Sequence, residues 1–321
     1  MKFDAIVGNP PYQLVSNSDN QNRNPPIYHK FVQLGIRLSP YYISLITPAR
    51  WYSSNILMGN FPYEFMSDHR IQYLHDYTNA NEIFPTVEIK SGVCYFLWHK
   101  KHDGKCRVVS TINGHTELSE RYLLSEYDDI FIRYNLGIPI IKKIHDRGEI
   151  SISTIISPQN PFGFNTAMKG NDKKTSSSIK IYSKGLIINY IEKEKVSLHK
   201  EWIDKYKIIM PKAAEDGVLP GKVIGSCHII KPNTCCNGTY IVIAPSKNED
   251  FCKNVKSYLY TKFVRFLVGM KKMTQDLKDQ TFALVPIQDF SHSWNDSDLY
   301  KKYGLTDDEI AFIESMIKPM E

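Results

Sequence analysis

Phe3-Asp4-Ala5-Ile6-Val7-Gly8-Asn9-Pro10-Pro11-Tyr12 opens the chain as a short apolar run ending in a stiff polar corner. Phe3 to Gly8 reads as a β-strand buried on both faces, the kind found inside a parallel sheet. Two consecutive prolines fix φ and remove two backbone donors, so the corner after the strand is rigid and its carbonyls point outward. In α/β sheets, ligands bind at the carboxyl ends of parallel strands. A doubly buried strand needs neighbours, and almost no chain precedes this one. The expectation is that strands and helices which normally come first lie on a separate polypeptide or were lost from a truncated or split gene.

Working outward, residues 13–26 are polar and Asn-rich and read as a loop. Ile27, Phe31, Leu34 and Leu38 then recur at helical spacing until Pro40 stops the pattern. Tyr41 to Thr47 is a second buried strand ended by Pro48. Strand, helix, strand with a crossover of this length predicts a βαβ unit with parallel, right-handed connection. A short helix over Phe61 to His69 and strands over Ile71 to Tyr77 and Gly92 to His99 follow. Lys100-Lys101-His102-Asp103-Gly104-Lys105 breaks the composition and divides the chain into residues 1–100 and 101–321. Beyond it come short β-like runs at Lys180 to Tyr182, Leu186 to Tyr190, Lys207 to Met210 and Tyr240 to Ala244. Phe251, Val255, Leu259 and Phe263 mark a strong helix. Thr306 and Glu309 form a capping box for another, with Leu305 and Ile310 as its staple and Ile310, Ile313 and Ile317 on one face. The fold class is α/β: a partial Rossmann-like sheet followed by a mixed α+β domain.

A chain of 321 residues is long enough for two cores. The net charge of +6 is unevenly spread. Residues 165–212 hold 11 Lys against 5 acids and 253–278 hold 7 Lys/Arg against 1, whereas 296–321 reverse to 3 Lys against 7 acids. Two basic blocks suit a polyanionic partner in the C-terminal part, although solvated helix faces carry such charge too. The six cysteines lack CxxC spacing, and Cys227-His228 with Cys235-Cys236 does not make a convincing metal set. There is no apolar run of membrane-spanning length and no leader-like N-terminus, so a cytoplasmic protein is expected despite the Asn237-Gly238-Thr239 sequon.

The chemistry of the corner points to an exocyclic amine. The lone pair of adenine N6 is delocalised into the ring and is a poor nucleophile. Two fixed acceptors that take its N–H hydrogens draw the nitrogen toward tetrahedral geometry and free that lone pair. The Asn9 amide oxygen and the Pro10 carbonyl are such acceptors, Pro11 stiffens the corner, and Tyr12 presents a ring to the base. Rate enhancement then comes from positioning and electrostatics, by direct displacement with no covalent enzyme intermediate.

The segment Phe3 to Tyr12 resembles the catalytic motif of the gamma-type adenine-N6 DNA methyltransferases of type II restriction–modification systems. Thr47-Pro48-Ala49-Arg50-Trp51 is similar to the family's strand end after the catalytic loop. Ile83-Phe84-Pro85, with the strand Gly92 to Trp98, resembles the segment whose Phe packs on the extruded adenine. Tyr258 to Leu267, Val285 to Phe290 and Leu299 to Leu305 are similar to pieces of the target-recognition region. The resemblance implies a methyltransferase sheet followed by a DNA-recognition domain, transfer from S-adenosylmethionine to a flipped adenine, and a base held between Tyr12 and Phe84. The family binds its cofactor mainly through a Gly-rich turn and an acidic residue that precede the catalytic motif. Here Asp4 is the one nearby cofactor-binding candidate, and Gly221 to Gly225 lacks the strand and acid that such a turn needs. Most of the cofactor site is therefore expected on a missing N-terminal segment or a partner chain.

Double-stranded DNA is the expected partner. Lys169, Lys173, Lys174 and Lys180 around Thr175-Ser176-Ser177-Ser178 are candidates for phosphate contact, and Lys262, Arg265, Lys271, Lys272 and Gln275 are a second set. Two other readings stay open: a DNA-binding or specificity remnant that cannot methylate alone, and a fragment of a methylase–nuclease fusion. No convincing Asp…Glu-x-Lys nuclease constellation is visible.

Overall fold

Ala5–Gly8 forms β1 and pairs in parallel with β2 (Tyr42–Pro48), Ala5 opposite Tyr42 and Gly8 opposite Leu45. In the computed structural model, residues 3–14, 24–52, 57–87, 89, 91–112, 114–124, 130–214, 219–272 and 275–320 are described. Most of the expected loop, 15–23, lies outside them. The helix between the strands, α1 (Tyr28–Leu38), ends where Ser39 turns left-handed before Pro40. This is the expected βαβ order. Two units divide the chain, residues 1–138 and 139–321.

The first unit is a six-stranded mixed sheet with order β1-β2-β4-β3-β5-β6. After β2 come α2 (Phe61–Met66), β3 (Ile71–Tyr77) and β4 (Val93–His99), and β4 runs antiparallel to both β2 and β3. The charged segment 100–105, expected as a domain boundary, is a turn. Beyond it β5 (Cys106–Ile112) joins the sheet parallel to β3, and β6 (His115–Arg121) joins antiparallel to β5. Val108 and Cys106 are buried in that sheet, which is why the core continues past residue 100.

Two expectations about burial are corrected. First, β1 is not buried on both faces: it is the edge strand, and Val7 is 79% exposed. Among the described residues nothing pairs with its free side, so the neighbour that would bury it is not supplied by them. Second, α1 turns Tyr28, His29, Val32 and Gly35 inward and leaves Phe31, Leu34 and Leu38 exposed, the reverse of the expected apolar face. At Gly35 the helix lies close over the sheet, a Cβ there falling 3.4 Å from Ile43 Cδ1 and 3.8 Å from Ile6 Cδ1.

Behind the sheet, Trp51, Tyr52, Phe65, Phe96 and Phe131 pack ring against ring. Asp76, fully buried on β3, receives a two-pronged bond from Arg133: Nε to Oδ2 at 2.8 Å and Nη2 to Oδ1 at 2.6 Å. Arg133 also lies over the Tyr52 ring. The pair ties the end of the unit to the middle of its sheet.

The second unit begins around α3 (Gly137–His145) and builds two small sheets. One places β7 (Ser178–Ser183) between β8 (Ile187–Glu192) and a later strand; the other is centred on β9 (Tyr206–Pro211). The remaining strands are β10 (His228–Ile230), β11 (Thr234–Cys236) and β12 (Tyr240–Ser246). β11 pairs parallel to β7, while β10 and β12 flank β9 antiparallel. Phe162, Ile181, Ile209 and Val242 belong to their shared core. The strong helical pattern is two helices, α4 (Glu249–Tyr260) and α5 (Lys262–Lys271). Thr261 separates them with an extended backbone, and its hydroxyl caps α5 by accepting from the Val264 N–H at 3.2 Å. After α6 (Asp296–Tyr303), the capping box opens α7 (Asp307–Met316) as expected: the Glu309 N–H donates to Thr306 Oγ1 at 3.3 Å, and the Thr306 N–H to Glu309 Oε2 at 2.8 Å.

Candidate nucleic-acid site

Because β4 is antiparallel to β2 and β3, the strands β1, β2 and β3 all point the same way. Their carboxyl ends carry Asn9–Tyr12, Ala49–Tyr52 and the 78–87 segment. The motif and Phe84 thus follow strands that end at one edge of the sheet, where an open α/β sheet takes ligands. Gly92 makes the approach of these ends possible. Its φ is +73°, and a Cβ there would lie 2.2 Å from the Tyr77 carbonyl oxygen. With glycine in place, its own carbonyl accepts from the Ala49 N–H at 3.1 Å, joining β4 to the turn after β2.

Within the motif, Pro10 is buried, whereas Asn9 and Pro11 are exposed and Tyr12 is half-buried. The Tyr12 carbonyl accepts from the Ile27 N–H at 3.1 Å, and Leu14 N–H donates to Pro25 O at 3.1 Å, so the corner is anchored against the start of α1. The Tyr12 hydroxyl points inward, is buried and has no hydrogen-bond partner among the described residues. Burial, with the Cys94 thiol nearby, pushes its pKa up to about 12. Cys94 is pushed up to about 11 by burial and lies 3.5 Å from Thr47 Oγ1, which accepts from Trp51 Nε1 at 3.3 Å. The ring of Tyr12 meets Tyr28 edge-on, and Tyr28, His29, Phe61 and Phe65 continue as a chain of ring contacts. Tyr28 and Cys94 were not singled out from sequence. The one available signal was that Tyr28 falls one position from the apolar stripe, which would require the stripe itself to face outward.

Phe84 is half-buried in the turn after β3, its N–H donating to Ala80 O at 2.8 Å. Asp4 is exposed, and its backbone carbonyl accepts from the Tyr41 and Tyr42 N–H groups, which begins the β1–β2 pairing. A cleft of about 240 Å³ opens beside the motif, lined by Ile6, Gly8, Asn9, Pro10, Leu34 and Leu45 among others. Its lining includes no carboxylate and no side-chain amide apart from Asn9.

The two basic blocks differ sharply. Of the second candidate set, Arg265 is buried and donates to the carbonyls of Tyr260, Thr261 and Lys318, and Lys272 is buried with Nζ 2.7 Å from Val223 O. Lys262 is ion-paired with Glu314. The residues between Lys262 and Lys271 are all buried, so α5 has no solvated face to offer DNA. Arg265 and Lys272 are therefore corrected from DNA contacts to structural cations. Lys271 and Gln275 flank residues 273–274, which lie outside the described residues, and the Gln275 carbonyl accepts from the Ala214 N–H. By contrast, Lys169, Lys173, Lys174 and Lys180 are all exposed and make no ion pair among the described residues. Asn237 of the sequon is 1% exposed with its amide bonded inward, so the folded chain does not present it for glycosylation. All six cysteines are buried thiols. Among the described residues, no helix is long and apolar enough to cross a membrane.

Comparison with known proteins agrees with the motif. Residues 1–84 match the family described as Eco57I restriction-modification methylase. An uncharacterized adenine-specific methylase of Mycoplasma pneumoniae is 39% identical over 108 residues, which are 33% of this chain and 25% of that protein. The chain thus spans about a quarter of the length of that curated relative. Among solved structures, the type IIG restriction endonuclease BpuSI aligns over 98% of this chain and 49% of its own, at 11% identity and a TM-score of 0.38. The type IIL restriction-modification enzyme MmeI, solved in complex with DNA, aligns over 85% and 44%, at 10% identity and a TM-score of 0.43. In its first 84 residues, and in Asn9-Pro10-Pro11-Tyr12 within them, the chain is similar to the adenine-specific DNA methyltransferases of restriction–modification systems.

Proposed function

We propose that this chain carries the adenine-handling and DNA-recognising parts of a site-specific adenine-N6 DNA methyltransferase of a restriction–modification system, acting in the cytoplasm on duplex DNA. The observation that carries the reading is the exposed Asn9 amide in a rigid Asn-Pro-Pro-Tyr corner at the carboxyl end of a parallel strand. The Asn9 side-chain oxygen and the Pro10 carbonyl accept the two hydrogens of the target amine. Tyr12 and Phe84 hold the extruded base between them, and extrusion is required because N6 stacked and paired inside a duplex cannot reach the Asn9 and Pro10 acceptors. The sheet of residues 1–138 is then the second half of a Rossmann-like methyltransferase sheet, and residues 139–321 are the target-recognition domain.

S-adenosylmethionine is the methyl donor that the family implies. The described residues do not fit it by themselves. The cleft beside Asn9 is apolar and offers no carboxylate for ribose hydroxyls or an ammonium group, and Asp4 uses only its backbone in the strand pairing. The edge of β1 supports a supplier for the rest. Phe31, Leu34 and Leu38 on α1 line the cleft together with Ile6, and Val7 is exposed on the opposite face of the same edge strand, so both faces of β1 carry open apolar surface. A strand edge of that kind is a template for pairing with another chain segment. A cofactor-binding segment docked along β1 would bury this surface and complete the cleft. The same observation favours the second reading, a DNA-recognising subunit that transfers no methyl group without its partner.

The experiment is methyl transfer from labelled S-adenosylmethionine to duplex DNA, with the chain alone and with a polypeptide bearing the family's Gly-rich cofactor segment. Transfer by the combination, abolished by Asn9→Ala while duplex binding persists, is the expected result. Unchanged turnover in Asn9→Ala would sink the assigned role. Duplex binding without transfer in any combination would leave the recognition subunit as the function.

A further inference from the structure

Residues 165–177 are mostly exposed, yet the Asn165–Asn171 part of this loop is held in place by many contacts. The buried Asn237 side chain donates to the Thr166 carbonyl at 3.1 Å and the Met168 carbonyl at 2.7 Å. Asn165 Oδ1 accepts from the Ala167 and Met168 N–H groups at 3.0 and 3.2 Å. Gly170 has φ +78°, and a Cβ there would come within 2.7 Å of both Ile181 Cγ2 and the Tyr190 carbonyl oxygen. The next residue, Asn171, exchanges both backbone hydrogen bonds with Tyr190 at 2.8 Å. At the far end, Thr175 Oγ1 donates to Glu192 Oε1 at 2.7 Å.

A lysine patch that only neutralises phosphates needs no such constraint, since charge acts over a Debye length and tolerates motion. Hydrogen bonding to a base edge does need it, because the side-chain amide must meet two ring atoms in one plane. Asn171 is built for that contact. Its backbone is locked on both sides, its side chain is exposed, and its amide makes no hydrogen bond among the described residues. Lys169, Lys173 and Lys174 flank it, and Lys195 joins Lys169 and Asn171 in lining a cavity of about 350 Å³. Asp172 is the one acid within the stretch.

We propose that Asn171 reads a base edge in duplex DNA, bidentate geometry favouring adenine, while Lys169, Lys173 and Lys195 hold the neighbouring phosphates. Gly170 and Asn237 are positioning residues for this reader. The inference rests on the DNA-recognising role proposed above and adds to it the residue that sets sequence preference.

The test selects bound duplexes from a random-sequence pool with the full chain, then repeats the selection with Asn171→Ala. The wild type is expected to enrich a defined site, and Asn171→Ala to lose about tenfold discrimination at one base pair while binding non-specific duplex as before. Lys169→Ala with Lys173→Ala is expected to weaken binding to all sequences and to lower the slope of log affinity against log salt by about two. Lys253→Ala, which removes the same charge from α4, serves as the control and is expected to leave the slope unchanged. The inference is overturned by the same enriched site in Asn171→Ala, by a wild type with no enriched site, by a preference for single strands or RNA, or by Lys253→Ala matching the loop lysines. None of these readouts involves methyl transfer. An enriched site that depends on Asn171 in a protein that never methylates would remove the transferase reading and leave this one standing.

Discussion

Tyr12 meets the edge of Tyr28 with ring centroids 6.4 Å apart and planes at 78°. The contact places the motif's aromatic ring on a residue of α1 that is itself buried, while the Tyr12 hydroxyl is driven into the protein without a partner among the described residues. The buried oxygen is out of reach of a ligand, which leaves the ring as the part of Tyr12 open to contact.

Tyr12→Phe is accordingly expected to leave stability equal or raised by about 1 kcal/mol, because an unsatisfied buried hydroxyl costs on that order. Methyl transfer in the reconstituted enzyme should change little. Tyr12→Ala should lose the stacking surface, about 1–3 kcal/mol per base. Urea denaturation and single-turnover transfer check the pair, and a large loss of transfer in Tyr12→Phe would show that the hydroxyl has a chemical role.

Asp76 and Arg133 make the opposite case, a polar pair that is satisfied and buried. The Asp76 charge holds the Arg133 guanidinium well above its ordinary pKa against the effect of burial. Asp76→Ala should cost about 3–5 kcal/mol by stranding a buried cation, and the double variant Asp76→Ala/Arg133→Met should recover part of that loss. Chemical denaturation of the single and double variants measures both, and additive losses would contradict the coupling.

Lys207 predicts a pH dependence. It is fully buried in β9, with Nζ 3.1 Å from Thr234 O and 3.2 Å from Thr234 Oγ1, and burial pulls its pKa from 10.5 down to about 8. Between pH 8 and 10.5 the unfolded chain keeps a proton that the folded chain has released, so this group makes stability rise with pH in that window, by at most about 1.4 kcal/mol per unit. Below pH 8 both states are protonated and its contribution is flat. Stability of the wild type relative to Lys207→Met, followed from pH 7 to 10.5, should climb; a flat difference would mean that the lysine titrates normally.

Val7 probes the open edge of β1. At 79% exposure, Val7→Lys should change the stability of the chain by no more than about 0.5 kcal/mol. It should nevertheless block reconstitution with a cofactor-binding partner, since a charge on an edge strand opposes pairing. Unimpaired reconstitution in Val7→Lys would place the partner elsewhere.

The resemblance to adenine-specific restriction–modification methylases was legible in ten residues, because Asn, two prolines and Tyr carry their hydrogen-bonding capacity and backbone stiffness wherever they stand. Strands and helices were legible too, since the spacing of apolar residues reports the backbone period directly, and so was the capping box at Thr306 and Glu309. What period cannot report is which partner lies against a face. The apolar stripe Phe31, Leu34, Leu38 looks inward on paper; the tertiary structure packs Tyr28, His29, Val32 and Gly35 inward and turns the stripe outward. A count of lysines cannot tell which charges the fold uses for itself. Carbonyls at Tyr260, Lys318 and Val223, brought together only by folding, bind Arg265 and Lys272 and leave Lys169, Lys173 and Lys174 to solvent. Strand order likewise decides that β1 is an edge and not a centre: β2 lies on one side of it and no described strand on the other. Local sequence thus determined the family that the first residues resemble, and only long-range packing decided which charges and which strand edge stay exposed.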